Sequence, residues 1–195
     1  MKQACFLFFF LISSNFFAEE KASYTIEVAG VEIGMLYTSR FEKEGLTYYS
    51  FDSNVDVWLF KRIIVSHKMI CIYNKEHLLS VTVNSVANGE QYFSNIKWNK
   101  DHYDVDVKTY KYTNNKPINE KITFGVVKLF YEAPLDHSKI LAENYGVFAN
   151  VTELSSEYYQ VHVIDKKNKY TYKKGELIKA EMESPIKNFI IKKIK

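Results

Sequence analysis

The chain reads as an all-β, single-domain protein: a curled antiparallel meander, an open barrel or β-roll, with one short helix near residues 122–131. Three observations carry this expectation. Apolar residues recur with a period of two along most of the chain, and turn signals fall at hairpin spacing. Aromatic residues, which favour sheets, make up 16% of the 195 residues. A hydrophobic fraction of 47% suffices for a real core, and seven Gly with three Pro exclude a collagen-like or low-complexity chain.

The N-terminus comes first. Met1-Lys2 precedes an apolar run from Ala4 to Ile12, followed by Ser13-Ser14-Asn15-Phe16-Phe17-Ala18. A positive start, a short apolar stretch and small or polar residues describe a secretory signal peptide, residues 1–18, cleaved after Ala18. Phe16 stands where a small residue is preferred, so cleavage at Ser14 or Ala22 is an alternative, and retention as an N-terminal anchor is another. About 15 usable residues fall short of the roughly 20 that a bilayer requires, so no transmembrane span is expected after cleavage. Cys5 lies at the start of the apolar run rather than its end, which excludes lipid attachment there. Residues 19–195 then form one exported β-domain.

Cleavage removes Lys2 and no acid, leaving 25 basic against 23 acidic residues. Such near-neutrality gives no electrostatic case for nucleic acid. Only Arg40 and Arg62 are Arg, so few sites gripping phosphate or carboxylate with two parallel hydrogen bonds can be built. With Cys5 clipped, Cys71 is the remaining thiol, and no internal disulfide can form. Its neighbours Met69, Ile70 and Ile72 predict a buried thiol behaving as a small apolar side chain.

The strands are predicted over 23–28, 31–42, 46–57, 62–73, 77–87, 91–98, 102–110, 139–149, 157–164, 169–173, 176–183 and 187–194. Tyr24, Ile26 and Val28 alternate with Thr25 and Glu27, and Tyr103, Val105 and Val107 alternate with Asp104, Asp106 and Lys108. Between runs lie Ala29-Gly30, Glu44-Gly45, Asn74-Lys75-Glu76, Asn88-Gly89, Asn99-Lys100-Asp101, Lys166-Lys167-Asn168 and Lys174-Gly175. Asn-Gly is the strongest of these, because both residues tolerate the positive φ of a tight primed turn. Short turns between consecutive strands make a meander. From Thr113 to His137 the rhythm breaks, and Phe124, Val127, Leu129, Phe130 and Tyr131 fit a short helix better than a clean strand, although Gly125 and the β-branched residues weaken it. The runs 46–60 and 62–73 are apolar on both faces, with Trp58 and Phe60 beside Val57 and Leu59, as in a sheet covered on both sides.

His67, His77, His102, His137 and His162 show no zinc-ligand spacing. His67 and Cys71 share a strand face but stand about 13 Å apart; with Asn74–Glu76 as the turn they fall opposite Val83 and Leu79, which makes no cluster. The run Asp101-His102-Tyr103-Asp104-Val105-Asp106 lacks the turn Gly and closing Glu of a calcium loop. No nucleophile elbow or phosphate-cradling loop occurs. Catalytic, metal-binding and cofactor-binding residues are therefore expected to be none, and no residue is assigned to a ligand. An aromatic surplus remains: Tyr48-Tyr49, Trp58, Phe60, Tyr92-Phe93, Phe130-Tyr131 and Tyr158-Tyr159. Strand aromatics ordinarily pack the core, and the same set is large enough to line an apolar pocket.

Several blocks in order carry a resemblance: Tyr24-Thr-Ile26-Glu-Val28-Ala-Gly30-Val-Glu-Ile-Gly34, Tyr48-Tyr49-Ser50-Phe-Asp-Ser53-Asn-Val55-Asp-Val57-Trp58, Asn88-Gly89, Pro117-Ile118, Ile122-Thr123-Phe124, Leu129-Phe130-Tyr131-Glu132-Ala-Pro134 and Tyr170-Thr-Tyr172-Lys-Lys-Gly175-Glu-Leu177. Over residues 23–195 the chain resembles a family of exported bacterial β-proteins of unknown function, itself similar to a larger group of periplasmic domains of unknown function. The resemblance implies a curled sheet with one short helix and a location in the periplasm or associated with the outer envelope; it brings no catalytic residues. The expected function is a non-enzymatic binding module for a lipid or other apolar molecule. The alternative is an envelope protein that engages another protein through an exposed sheet edge, for which the basic strand Phe189–Lys195 is the candidate.

Overall fold

A computed structural model describes residues 19–58, 61–184 and 187–194. The leader expected over 1–18, with its expected cleavage point at Ala18, Cys5, the aromatic Phe60 with Leu59, and Lys195 lie outside the described residues. The strands are β1 (Glu20–Val28), β2 (Val31–Lys43), β3 (Leu46–Trp58), β4 (Arg62–Tyr73), β5 (Leu78–Ala87), β6 (Glu90–Asn99), β7 (His102–Thr109) and β8 (Tyr112–Asn114). After a 3-10 helix, Val126–Phe130, come β9 (Lys139–Ala142), β10 (Val147–Ser155), β11 (Tyr158–Val163), β12 (Lys166–Lys173), β13 (Glu176–Met182) and β14 (Phe189–Lys193).

All fourteen belong to one antiparallel sheet in the order β8-β7-β6-β5-β4-β3-β2-β1-β14-β13-β12-β11-β10-β9. The predicted meander is therefore present as two arms, β1–β8 and β9–β14, joined where the first strand pairs with the last. Four turns have two consecutive residues with positive φ: Ala29-Gly30, Glu44-Gly45, Asn88-Gly89 and Lys174-Gly175. This is the primed geometry that suits the twist of a two-residue hairpin.

Several local expectations are corrected. The predicted strand 139–149 is two strands, β9 and β10, separated by a turn at 143–146 in which Gly146 has φ +62°. The turn predicted at Lys166-Lys167-Asn168 lies earlier, at Ile164-Asp165, so those three residues belong to β12. The β4–β5 register is two residues from the expected one: Cys71 faces Val81 and His67 faces Ser85, with a bulge between Ile72 and Tyr73. Asn74 causes this, since its side chain accepts from the N–H groups of Glu76 and His77 and lengthens the turn. On β3 and β4 the inward residues are covered, but Trp58, Ile64 and Ile70 on the outward face stay exposed, so the two-faced pattern does not mark a sheet covered on both sides. Nor is the C-terminal strand an edge: β14 lies between β1 and β13.

The edges are β8 and β9, and the sheet curls without closing into a barrel. Where they approach, the Asn114 side chain donates to the carbonyls of Tyr145 (3.2 Å) and Gly146 (2.9 Å). Gly146 allows the approach, for a Cβ there would stand 2.7 Å from Cγ1 of Val105. From β8 the chain runs back across the interior. Ile118 exchanges backbone hydrogen bonds with Tyr103, the Leu78 N–H reaches the Ile122 carbonyl, and the Leu141 N–H reaches that of Phe124. The Tyr103 hydroxyl donates to the Leu78 carbonyl and accepts from the Ile122 N–H. The segment thus plugs one end of the curl, where the turns after β2, β4 and β6 also lie.

Helix and core share one device. Glu143, 2% exposed, accepts from the N–H groups of Val126 and Val127, each at 3.0 Å. Those are orphan donors of the first helical turn. With its donors engaged from outside and only five residues to span, the segment takes the tighter 3-10 form. The aromatic set divides: Tyr49, Phe130 and Tyr159 are buried and Tyr131 packs against the core, whereas Trp58 is exposed and Tyr48, Tyr92, Phe93 and Tyr158 are half-buried outside it. Phe51 and Tyr24, from outside the set, pack edge-on against Phe130.

Candidate functional site

The plug fills only part of the interior. Between the wall formed by β1–β4 and the wall formed by β11–β14 lies a pocket of about 410 Å³. It falls at the lower end of the range for small-molecule sites, roughly 300–1,000 Å³. Val126 and Phe130 of the 3-10 helix border it, and so does the 143–145 turn.

The two walls differ chemically. On the first, Ile26, Val28, Leu36, Val55, Val57 and Ile63 present aliphatic side chains as far as the strand ends at the rim, with Ser53 and His67 as the polar groups farther in. Alternation supplies these, since residues two apart along a strand share a face. On the second, Val163, Met182 and Ile191 continue the apolar surface, while Lys166, Asn168, Glu183, Ser184 and Lys187 add polar groups. Val28, Val163 and Met182 each close a strand, Val57 is the last residue but one of β3, and Lys166 opens β12. In an antiparallel meander the turns after alternate strands fall on the same side. The pocket therefore reaches the rim opposite the plug.

Polar groups at this rim are held in place. The Glu183 carboxylate accepts from the Lys167 N–H at 2.8 Å, and the Asn168 side chain accepts from the Glu183 N–H at 3.0 Å. Lys166 Nζ lies 2.7 Å from the Asp165 carboxylate and 5.3 Å from the centre of the Tyr145 ring. Its side chain is 16% exposed whereas that of Asp165 is 76% exposed, so water screens the acid far more than the amine.

Two titratable groups border the interior. Burial pushes the Glu143 carboxyl up to about 7, against the opposing pull of the Val127 and Val126 N–H groups. Burial likewise pushes the His67 imidazole down to about 4, and the Asp52 charge only partly resists. His67 Nδ1 is 2.5 Å from the Ser85 hydroxyl. This pair lacks the arrangement of a nucleophile and base oriented by an acid. Asp52 pairs instead with Lys68 at 3.2 Å, and in the register Asp52 faces Lys68 while Ser53 faces His67.

The remaining histidines are dispersed. His77 is buried against the Trp98 ring, neither of its nitrogens has a hydrogen-bond partner, and burial lowers its proton affinity. His102 sits between Asp101 (2.7 Å) and Asp104 (3.2 Å), so the acidic run engages an imidazole. His137 packs on the Phe124 ring, and His162 is exposed on β11. Among the described residues no group of three or more His, Cys, Asp or Glu is placed to hold a metal ion. Cys71 is completely buried, and burial raises its thiol well above the ordinary value.

The sequence allowed for an apolar pocket but pointed to an aromatic lining, and of that aromatic set only Phe130, among the described residues, borders it. Its β1–β4 wall is mostly Val and Ile, which in a strand read the same whether they meet other side chains or a void.

The family model described as "Domain of unknown function (DUF6134)" matches residues 24–194. No curated protein matches the chain in sequence. Among solved structures, the chain is similar to a beta-barrel-like protein of the domain of unknown function DUF1849 from Brucella abortus. The TM-score is 0.53 at 12% identity, over 91% of this chain and 95% of that one. At this identity the likeness establishes a shared β-barrel-like fold and nothing of activity.

Proposed function

The chain belongs to the DUF6134 family of domains of unknown function, and from its interior pocket we propose that it is a non-enzymatic binding module for a lipid or other apolar ligand. The single observation carrying this reading is the pocket itself, about 410 Å³ between two arms of one sheet, with an aliphatic wall running to its rim. Burying apolar surface there would supply roughly 25 cal/mol per Å² before the costs of association. The leader 1–18 supports an exported protein, and we propose that it acts in the periplasm or at the outer envelope, where water-insoluble molecules need carriers or sensors. The alternative, an interaction module using a free sheet edge, has less support: the candidate strand β14 is paired on both sides, and the β8 edge is tied to the 143–146 turn through Asn114.

Titration with the uncharged fluorophore N-phenyl-1-naphthylamine tests the reading. Saturable binding by the native chain is expected, together with its loss in Val65→Trp, which fills the pocket from β4. Absence of saturable binding, or equal binding by a folded Val65→Trp chain, overturns it.

A further inference from the structure

Resting on that reading, we propose that the ligand is an amphiphile with one apolar chain and an anionic head, bound tail-inward with its head at Lys166 and Lys187. The asymmetry of the walls points this way. A wholly apolar ligand has no use for a polar rim on one side only, and burying one against it would strand polar groups away from water. An amphiphile lays its chain along Val28, Val55 and Val57 and turns its head toward β12 and Lys187.

Charge selects the sign of the head. The pocket is bordered by two ammonium groups, Lys166 and Lys187, against two carboxyls, Glu143 in the buried interior and Glu183, with the Asp165 carboxylate beside Lys166. Both bordering carboxyls already accept backbone N–H hydrogen bonds, from Val126 and Val127 for Glu143 and from Lys167 for Glu183. Lys166 is held differently. Its side chain is mostly withdrawn from solvent against the Tyr145 ring, and its acidic partner is largely solvated. An anion arriving through the pocket meets an amine that has already lost most of its water, so the desolvation normally charged to such a pair is largely absent. Lysine supplies a point charge without the planar fork of Arg, which accommodates a carboxylate or a phosphate head alike.

The test uses cis-parinaric acid and its methyl ester, followed by fluorescence on titration. The native chain is expected to bind the acid at least tenfold more tightly than the ester. Lys166→Met, and separately Lys187→Met at an exposed position, should weaken the acid several-fold and leave the ester unchanged. Displacement of the bound acid by palmitate or by 1-palmitoyl lysophosphatidate then distinguishes a carboxylate from a phosphate source, and displacement by either supports the anionic head. Equal binding of acid and ester by the native chain overturns this inference and leaves the apolar pocket standing. So does equal weakening of both probes in variants whose circular dichroism and melting match the native chain. Failure of both probes to bind overturns the pocket reading as well.

Discussion

Glu143 and His67 line one pocket from different elements, and burial drives their proton affinities in opposite directions. The carboxyl rises from 4.5 to about 7, so the folded chain holds a proton there that the unfolded chain has released. Stability from this group is complete below 4.5 and is lost as pH rises through about 7. The imidazole falls from 6.5 to about 4, so its contribution is complete above 6.5 and is lost as pH falls toward 4. Between pH 4.5 and 6.5 the two slopes oppose. Glu143→Gln should leave a chain whose stability climbs with pH across that window, and His67→Asn one whose stability declines. Urea midpoints at three pH values within it decide; parallel profiles for all three chains would contradict the assignment.

A second expectation concerns the helix entrance. A Cβ on Gly125 would fall far inside contact distance of the Glu143 carboxylate and 3.0 Å from the Tyr73 hydroxyl. Gly125 has φ −134°, an ordinary extended value, so the requirement is space rather than conformation. Gly125→Ala should cost about 2 kcal/mol, the scale of overpacking a filled core. Adding Glu143→Ala vacates the space, and the double variant should lose less than the sum of the singles. Strict additivity in denaturant titrations would show that the two residues do not meet.

The seam offers a third. Asn114 ties β8 to the 143–146 turn through two carbonyls where backbone pairing is missing. Asn114→Ala removes both and should lower stability by about 1–2 kcal/mol. Hydrogen exchange distinguishes a latch from a general loss: amides of β8 and β9 should accelerate well before those of β3 and β4.

A fourth prediction follows from Cys71. Completely buried with its thiol raised by burial, it should resist thiol reagents in native buffer and react at the rate of unfolding. A Cys5→Ser chain isolates the measurement, and rapid stoichiometric labelling without denaturant would place the sulfur elsewhere.

Much of the architecture was legible because its signals are local. Alternation from Tyr24 onward and the Asn88-Gly89 turn depend on neighbours only, and both appear as read. The errors share another cause, namely side chains that act at a distance. Asn74 resets a hairpin by two residues by capping two N–H groups. Gly125 looked like a helix breaker and is instead the space beside a carboxylate eighteen residues away in sequence. Lys166 looked like part of a surface turn and instead lies in a strand with its amine mostly covered. The pocket was least legible of all, since Val28, Val57 and Ile63 would form the same strands around a filled centre.

Pairing of the first strand with the last has a kinetic consequence. Glu27 and Lys192 meet across a separation of 165 residues, so a growing polypeptide leaves β1 with one unsatisfied side until Phe189–Lys193 has been made. Topologies of this kind assemble slowly, and a prematurely terminated product would carry a long adhesive border, a template for clumping with its siblings. Quality control acting on this protein would have most to do in the seconds before β14 arrives.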